Sequence, residues 1–230
     1  MADEIEALRR EVCALHAELP RHGLVAWTSG NLSARVPGEE LMVIKASGIP
    51  YDELTPAAIV VCDLHGTLVD GELAPSSDAA AHGYVYRELD EVGGIAHTHS
   101  SYATAWAARG EAIPCVLTAM ADEFGGEIPI GPFALIGDDS IGHGIVSTLR
   151  GHRSKAVLMQ NHGVFAVGPT AKAAVKAALH RNREQALADA RSRAARRRSR
   201  TTPGTSKAWA RPPRNCAPMS TARIPSPACP

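Results

Sequence analysis

The chain has 230 residues, 45% of them hydrophobic and 21% charged, with 24 Lys and Arg set against 24 Asp and Glu. That length suits one sizeable core, and the balanced charge excludes a global field that would draw nucleic acid or a membrane surface. The five cysteines form no C-x-x-C pair, no run of about 18 apolar residues offers a bilayer span, and the acidic start MADEIEALRREVCALHAEL is not a secretory signal, so a reducing, cytoplasmic setting is expected.

Ile5, Leu8, Val12, Leu15 and Leu19 recur every three or four residues, which predicts an opening helix over 4–19 with one stripe turned to a core. After PRHG the apolar runs shorten. Strands are predicted near 31–36, 41–45, 57–62, 94–98, 132–136, 155–159 and 163–167, each bordered by Gly, Pro or Asp. SSDAAAHGYVYREL begins with Ser and Asp before an apolar set and reads as a helix start; further helices are predicted at 101–109, at 138–149 and from 170 onward, the last opened by PTAKAA. Strands and helices mix without a strict β-α-β rhythm, so a layered α/β or α+β domain around one sheet is expected.

Residues 191–230 differ in kind: they hold seven of the sixteen prolines, many arginines and Trp209 as their one aromatic residue. Such a segment buries too little apolar surface to offset its ordering entropy, and disorder is predicted from about 192 to 230. Arginine runs can serve as nucleic-acid arms, but without interleaved aromatics that role is not expected here.

GGIAHTHSSYATAW places His97 and His99 two positions apart, so on a strand both imidazoles reach one face. The pair alone fits either two metal ligands or two histidines hydrogen-bonded in a polar cleft. AVLMQNHGVFAVG adds His162 at the end of an apolar strand before a glycine turn, and APSSD adds Asp78 at a helix start. Three imidazoles and one carboxylate make a well-matched set for Zn²⁺. A second constellation suits anions. TSGNLS (28–33), IKASG (44–48, with Lys45) and PSSD (75–78) offer hydroxyls and tightly turned backbone N–H groups, and Ser76 and Ser77 stand at a helix N-terminus. Each is an ordinary turn when taken singly; together, upstream of the histidines, they point to a phosphorylated substrate beside a Lewis acid.

These motifs, with ADEFGGEIP between them, fall in the order found in the class II aldolase/adducin family, and over residues 1–177 the chain resembles its L-ribulose-5-phosphate 4-epimerase and L-fuculose-phosphate aldolase branch. The resemblance implies a single α/β domain with a central, mainly antiparallel sheet flanked by helices. It also implies assembly as a homotetramer with active sites between neighbouring subunits. It implies one Zn²⁺ per subunit on His97, His99 and His162 with Asp78 beside them, and a phosphate pocket of Asn31, Lys45, Ser47, Gly48, Ser76 and Ser77. Asp122 matches the acid/base residue of the epimerase branch, and the Asp at position 78 also matches the epimerase, whereas the fuculose aldolase carries Glu there. The expected function is therefore a zinc-dependent epimerase of a pentulose phosphate working by retro-aldol and aldol steps. A sugar-phosphate aldolase is the alternative, and a non-catalytic adducin-like interaction domain is the reading from another class.

The match stops at AKAAVKAA. The following LHRNREQALADARSRAARRRSR (179–200) lacks the family's acidic, apolar helix pattern, and the only tyrosines are Tyr51, Tyr84, Tyr86 and Tyr102, so the family's C-terminal catalytic tyrosine is missing. The chain is expected to divide into a domain over 1–177, a helix of atypical sequence over 178–191 and the tail over 192–230. A frameshift in the gene near codon 178 would explain the change in composition and is the hypothesis adopted for it. Impaired epimerase activity and weakened subunit assembly follow as expectations.

Overall fold

Short runs of Val, Ile, Leu and Ala, cut by glycine and proline turns, set the frame of the molecule in a computed structural model that describes residues 2–179. The strands are β1 (Asn31–Arg35), β2 (Leu41–Lys45), β3 (Ile59–Asp63), β4 (Leu68–Asp70), β5 (Gly94–Thr98), β6 (Ile130–Gly131), β7 (Ala156–Met159) and β8 (Val164–Gly168). They form one sheet in the order β4-β3-β2-β1-β5-β8-β7-β6, antiparallel throughout except where β6 runs parallel to β7. This is the mainly antiparallel α/β layering expected from the sequence.

The helices are α1 (Ala2–His16), α2 (Glu18–Arg21), α3 (Ala79–Glu88), α4 (Ser101–Arg109), α5 (Thr118–Phe124) and α6 (Ser140–Leu149), and residues 171–179 are helical as well. Alternation along each strand splits the interior into two cores. On one face Leu32, Ala34, Val43, Ala96, Val164 and Ala166 meet Val12 of α1, Trp106 of α4 and Phe124 of α5. On the other Met42, Ile44, Ile95, Phe165 and Val167 meet Val85 and Tyr86 of α3 and Ile141 and Ile145 of α6. The sheet is thus covered on both sides, and the site lies where its central strands end.

Several expectations need correction. The opening helix over 4–19 is two helices, because Pro20 has no N–H to give the carbonyl of His16, and the turn breaks there. The strand expected at 132–136 is absent: β6 ends at Gly131, Pro132 cannot continue the ladder, and Phe133, Leu135 and Ile136 are exposed. Two elements lie outside the sequence reading. Edge strand β4 is three exposed residues beyond a turn in which Asp63 Oδ1 accepts the N–H groups of His65 and Thr67. Helix α5 spans TAMADEF, a stretch for which the sequence reading gives no element. The helix expected over 178–191 lies, beyond residue 179, outside the described residues, as does the tail over 192–230.

Candidate metal centre and anion cleft

Register brings the first residues together. Asn31 of β1 is the cross-strand partner of His97 of β5, and His97 in turn pairs with Phe165 of β8. The His97 and Phe165 rings stack at 4.1 Å, and the His97 Nδ1–H donates to the carbonyl of Val164 at 3.0 Å. That bond fixes the tautomer and leaves Nε2 as the lone-pair nitrogen facing the cleft. His99 follows the end of β5, its N–H tied to the carbonyl of Leu24. Its Nε2 stands 2.9 Å from His97 Nε2.

His162 arrives from the turn between β7 and β8. Asn161 adopts a left-handed φ of 58°, a conformation Asn tolerates, and its N–H is held by the carbonyl of Ala107. Glycine is required at 163: a Cβ there would lie 2.8 Å from the Thr98 oxygen, 3.1 Å from His97 Cε1 and 3.3 Å from His99 Cε1. One ring nitrogen from each of His97, His99 and His162 falls within 4.8 Å of the others. Nitrogens on one tetrahedral cation sit roughly 3.4 Å apart, as bond lengths of about 2.1 Å require. His162 Nδ1 is buried without a hydrogen-bond partner among the described residues. The donor set fits a metal ion.

Asp78 occupies the position before α3, yet its carboxylate caps nothing. Instead Oδ2 accepts the Asn31 Nδ2–H at 2.7 Å and lies 3.9 Å from His97 Nε2. Burial lowers the pKa of both His99 and His162; His162 lowers His99 further, and the charge of Asp78 opposes the shift in each. Both rings are thereby biased to the neutral form that ligates.

Asn31, Lys45, Ser47, Gly48, Ser76, Ser77, Asp78 and the three histidines all line one cleft of about 330 Å³, together with Thr28, Ser29, Gly30 and Ile136. Lys45 enters from the face of α1. It is 2% exposed, its pKa is lowered by burial, and its Nζ donates to the Ala46 carbonyl and lies over the Tyr51 ring. Among the described residues no carboxylate forms an ion pair with it. A buried cation with spare N–H donors is a receptor for an anion. Asp122 is not brought to this cleft: it lies exposed on α5. Sequence reasoning missed His82, fully buried behind Asp78, whose pKa is pushed down to about 3 mainly by burial. Its i+4 spacing from Asp78 was the available signal.

A layered α/β fold whose cleft joins a histidine triad able to hold a metal ion to a buried lysine is an enzyme-like scaffold. The class II aldolase and adducin N-terminal domain matches residues 10–183. The chain belongs to the class II aldolase/adducin family. Among solved structures it is similar to an L-fuculose 1-phosphate aldolase at 25% identity, with 87% of this chain and 91% of that one covered at a TM-score of 0.74. YgbL from Klebsiella pneumoniae, described as a candidate aldolase/epimerase/decarboxylase, is 26% identical over 80% of this chain and 88% of that one, with a TM-score of 0.69. The L-fuculose-1-phosphate aldolase of Thermus thermophilus, at 22% identity, covers 88% of this chain and all of its own at a TM-score of 0.68, a likeness of fold.

Proposed function

We propose that this chain is a Zn²⁺-dependent class II aldolase that cleaves and forms a carbon–carbon bond in a phosphorylated ketose. The observation that carries the reading is the cleft itself, in which the histidine triad and the buried, carboxylate-free Lys45 sit side by side. When bound, a divalent cation there supplies Lewis acidity toward a substrate carbonyl and its neighbouring hydroxyl. His97, His99 and His162 hold that position, and Lys45, with Ser47, Ser76, Ser77 and Asn31, neutralises and orients the phosphate. In the cleavage direction the hydroxyl on the departing carbon loses its proton as that carbon becomes an aldehyde. Asp78, the one carboxylate lining the cleft among the described residues, is the group placed to accept it.

The epimerase is the second reading, favoured by the identity of Asp78 and by Asp122. It requires acid/base groups on two faces of the retained aldehyde, so Asp122, exposed on α5, would act in the cleft of a neighbouring subunit of a homotetramer. Retention of the triad and Lys45 argues against a purely adducin-like interaction domain.

The test incubates the zinc-loaded full chain with L-fuculose 1-phosphate and with L-ribulose 5-phosphate. Release of free aldehyde is expected. Xylulose phosphate without aldehyde would replace this reading with the epimerase, and a chain that takes up no divalent metal would overturn both.

A further inference from the structure

Behind the triad runs a buried chain of polar groups with no part in the chemistry described so far. Ser33, in the middle of β1, places its Oγ 2.7 Å from His82 Nδ1 and 2.7 Å from the Tyr86 hydroxyl, both on α3. All three residues are 0% exposed. The direction of the chain follows from its far end. Among the described residues Ser33 Oγ is the one side-chain partner of the buried Tyr86 hydroxyl, so the phenol proton goes to Ser33, and the Ser33 proton goes to His82 Nδ1. His82 is left with its proton on Nε2.

That Nε2–H is buried without an acceptor among the described residues, and Asp78 Oδ1, at the position just before α3, is buried without a donor. Leaving both unpaired is costly, and the two groups are complementary. Phe165 holds the imidazole in place, meeting His82 edge-on at 5.8 Å while stacking on His97. We infer that His82 is a positioning residue whose Nε2–H donates through one buried water to Asp78 Oδ1, so that Asp78 Oδ2 is held toward the histidine triad. The Tyr86, Ser33 and His82 chain then acts as a tautomer lock that keeps a donor, never a lone pair, facing the carboxylate.

This inference rests on reading the triad as a metal site. The experiment titrates the metal-stripped full chain with Co²⁺, following its visible absorption, with Zn²⁺ in competition. Outer partners of metal ligands contribute about ten- to a hundredfold in affinity, and His82→Leu is expected to weaken Co²⁺ by that factor. His82→Gln, which retains a donor near the Nε2 position, should stay within about threefold of the unmodified chain, a rescue that packing alone does not predict. In a double-mutant cycle with Asp78→Asn, the second substitution should add little to the first. Multiplying losses, or wild-type Co²⁺ affinity in a folded His82→Leu protein, would overturn the inference. If His82→Leu shows no cooperative unfolding, His82→Gln carries the test, and a loss beyond tenfold there overturns it. An unmodified chain that binds no Co²⁺ would instead remove the metal reading itself.

Discussion

At the scale of single residues, Lys45 separates the two halves of the site. Its ammonium is buried, its pKa is lowered by that burial, and among the described residues its one hydrogen bond is a long 3.3 Å contact to a carbonyl. Such a group has most of its hydrogen-bonding capacity left for a ligand, and bonds to charged groups contribute about 1.5–3 kcal/mol each. Lys45→Met should therefore raise KM for a phosphorylated ketose by about ten- to a hundredfold, with a smaller change in kcat and no change in bound metal. Steady-state kinetics with metal analysis of the same samples checks this; equal losses in kcat and metal content would show that Lys45 serves the triad instead. Local sequence made this residue legible, since a lysine between a β-strand and a Ser-Gly turn is already odd in a core. The pairing of Asn31 with His97 was not legible, because strand register is a long-range property.

At the scale of elements, the fastening of α1 to the sheet depends on one neutral histidine. His16 Nδ1–H donates to the Val12 carbonyl at 2.7 Å, and Nε2 accepts the Leu32 N–H of β1 at 3.0 Å. Protonation would destroy that acceptor. Burial lowers the pKa of His16 to about 4, a backbone bond to Val12 opposes the shift, and the nearby charge of Lys45 adds to it; the Tyr51 ring is the other titratable neighbour, at 6.0 Å. The unfolded chain takes up this proton near pH 6.5 while the folded chain resists it to about pH 4. The contribution is thus intact above pH 6.5 and is lost as pH falls from there toward 4, by at most about 1.4 kcal/mol per pH unit. Urea unfolding at pH 7.5 and 5.0 should show the unmodified chain losing about 1–2 kcal/mol more than His16→Gln over that interval. Identical pH slopes would contradict the assignment. The helical period over 4–19 revealed the apolar stripe of α1, whereas the break before Pro20 and the disappearance of the strand at 132–136 both depend on missing proline N–H groups. Periodicity counts side chains and is blind to that.

At the scale of the whole molecule, the triad ties together parts of the chain that folding must bring from far apart. His97 and His99 come from the end of β5, His162 from the turn into β8, and Asp78 from the start of α3, which packs on the opposite layer with α6. None of these ligand positions is preformed in an unfolded chain, so metal affinity becomes folding free energy, growing as RT ln(1 + [M]/Kd). At a free metal concentration of 100 Kd this amounts to about 2.7 kcal/mol, which for a domain of this size raises the unfolding temperature by roughly 5–10 °C. Thermal scans with Zn²⁺ and with excess EDTA should differ by that interval. The same pair of scans on His97→Ala should nearly coincide, because removing one imidazole of three leaves too few donors for tight binding. An EDTA-induced drop of equal size in His97→Ala would place the stabilising metal elsewhere in the molecule, and the absence of any drop in the unmodified chain would mean that the histidines converge without a cation to join them.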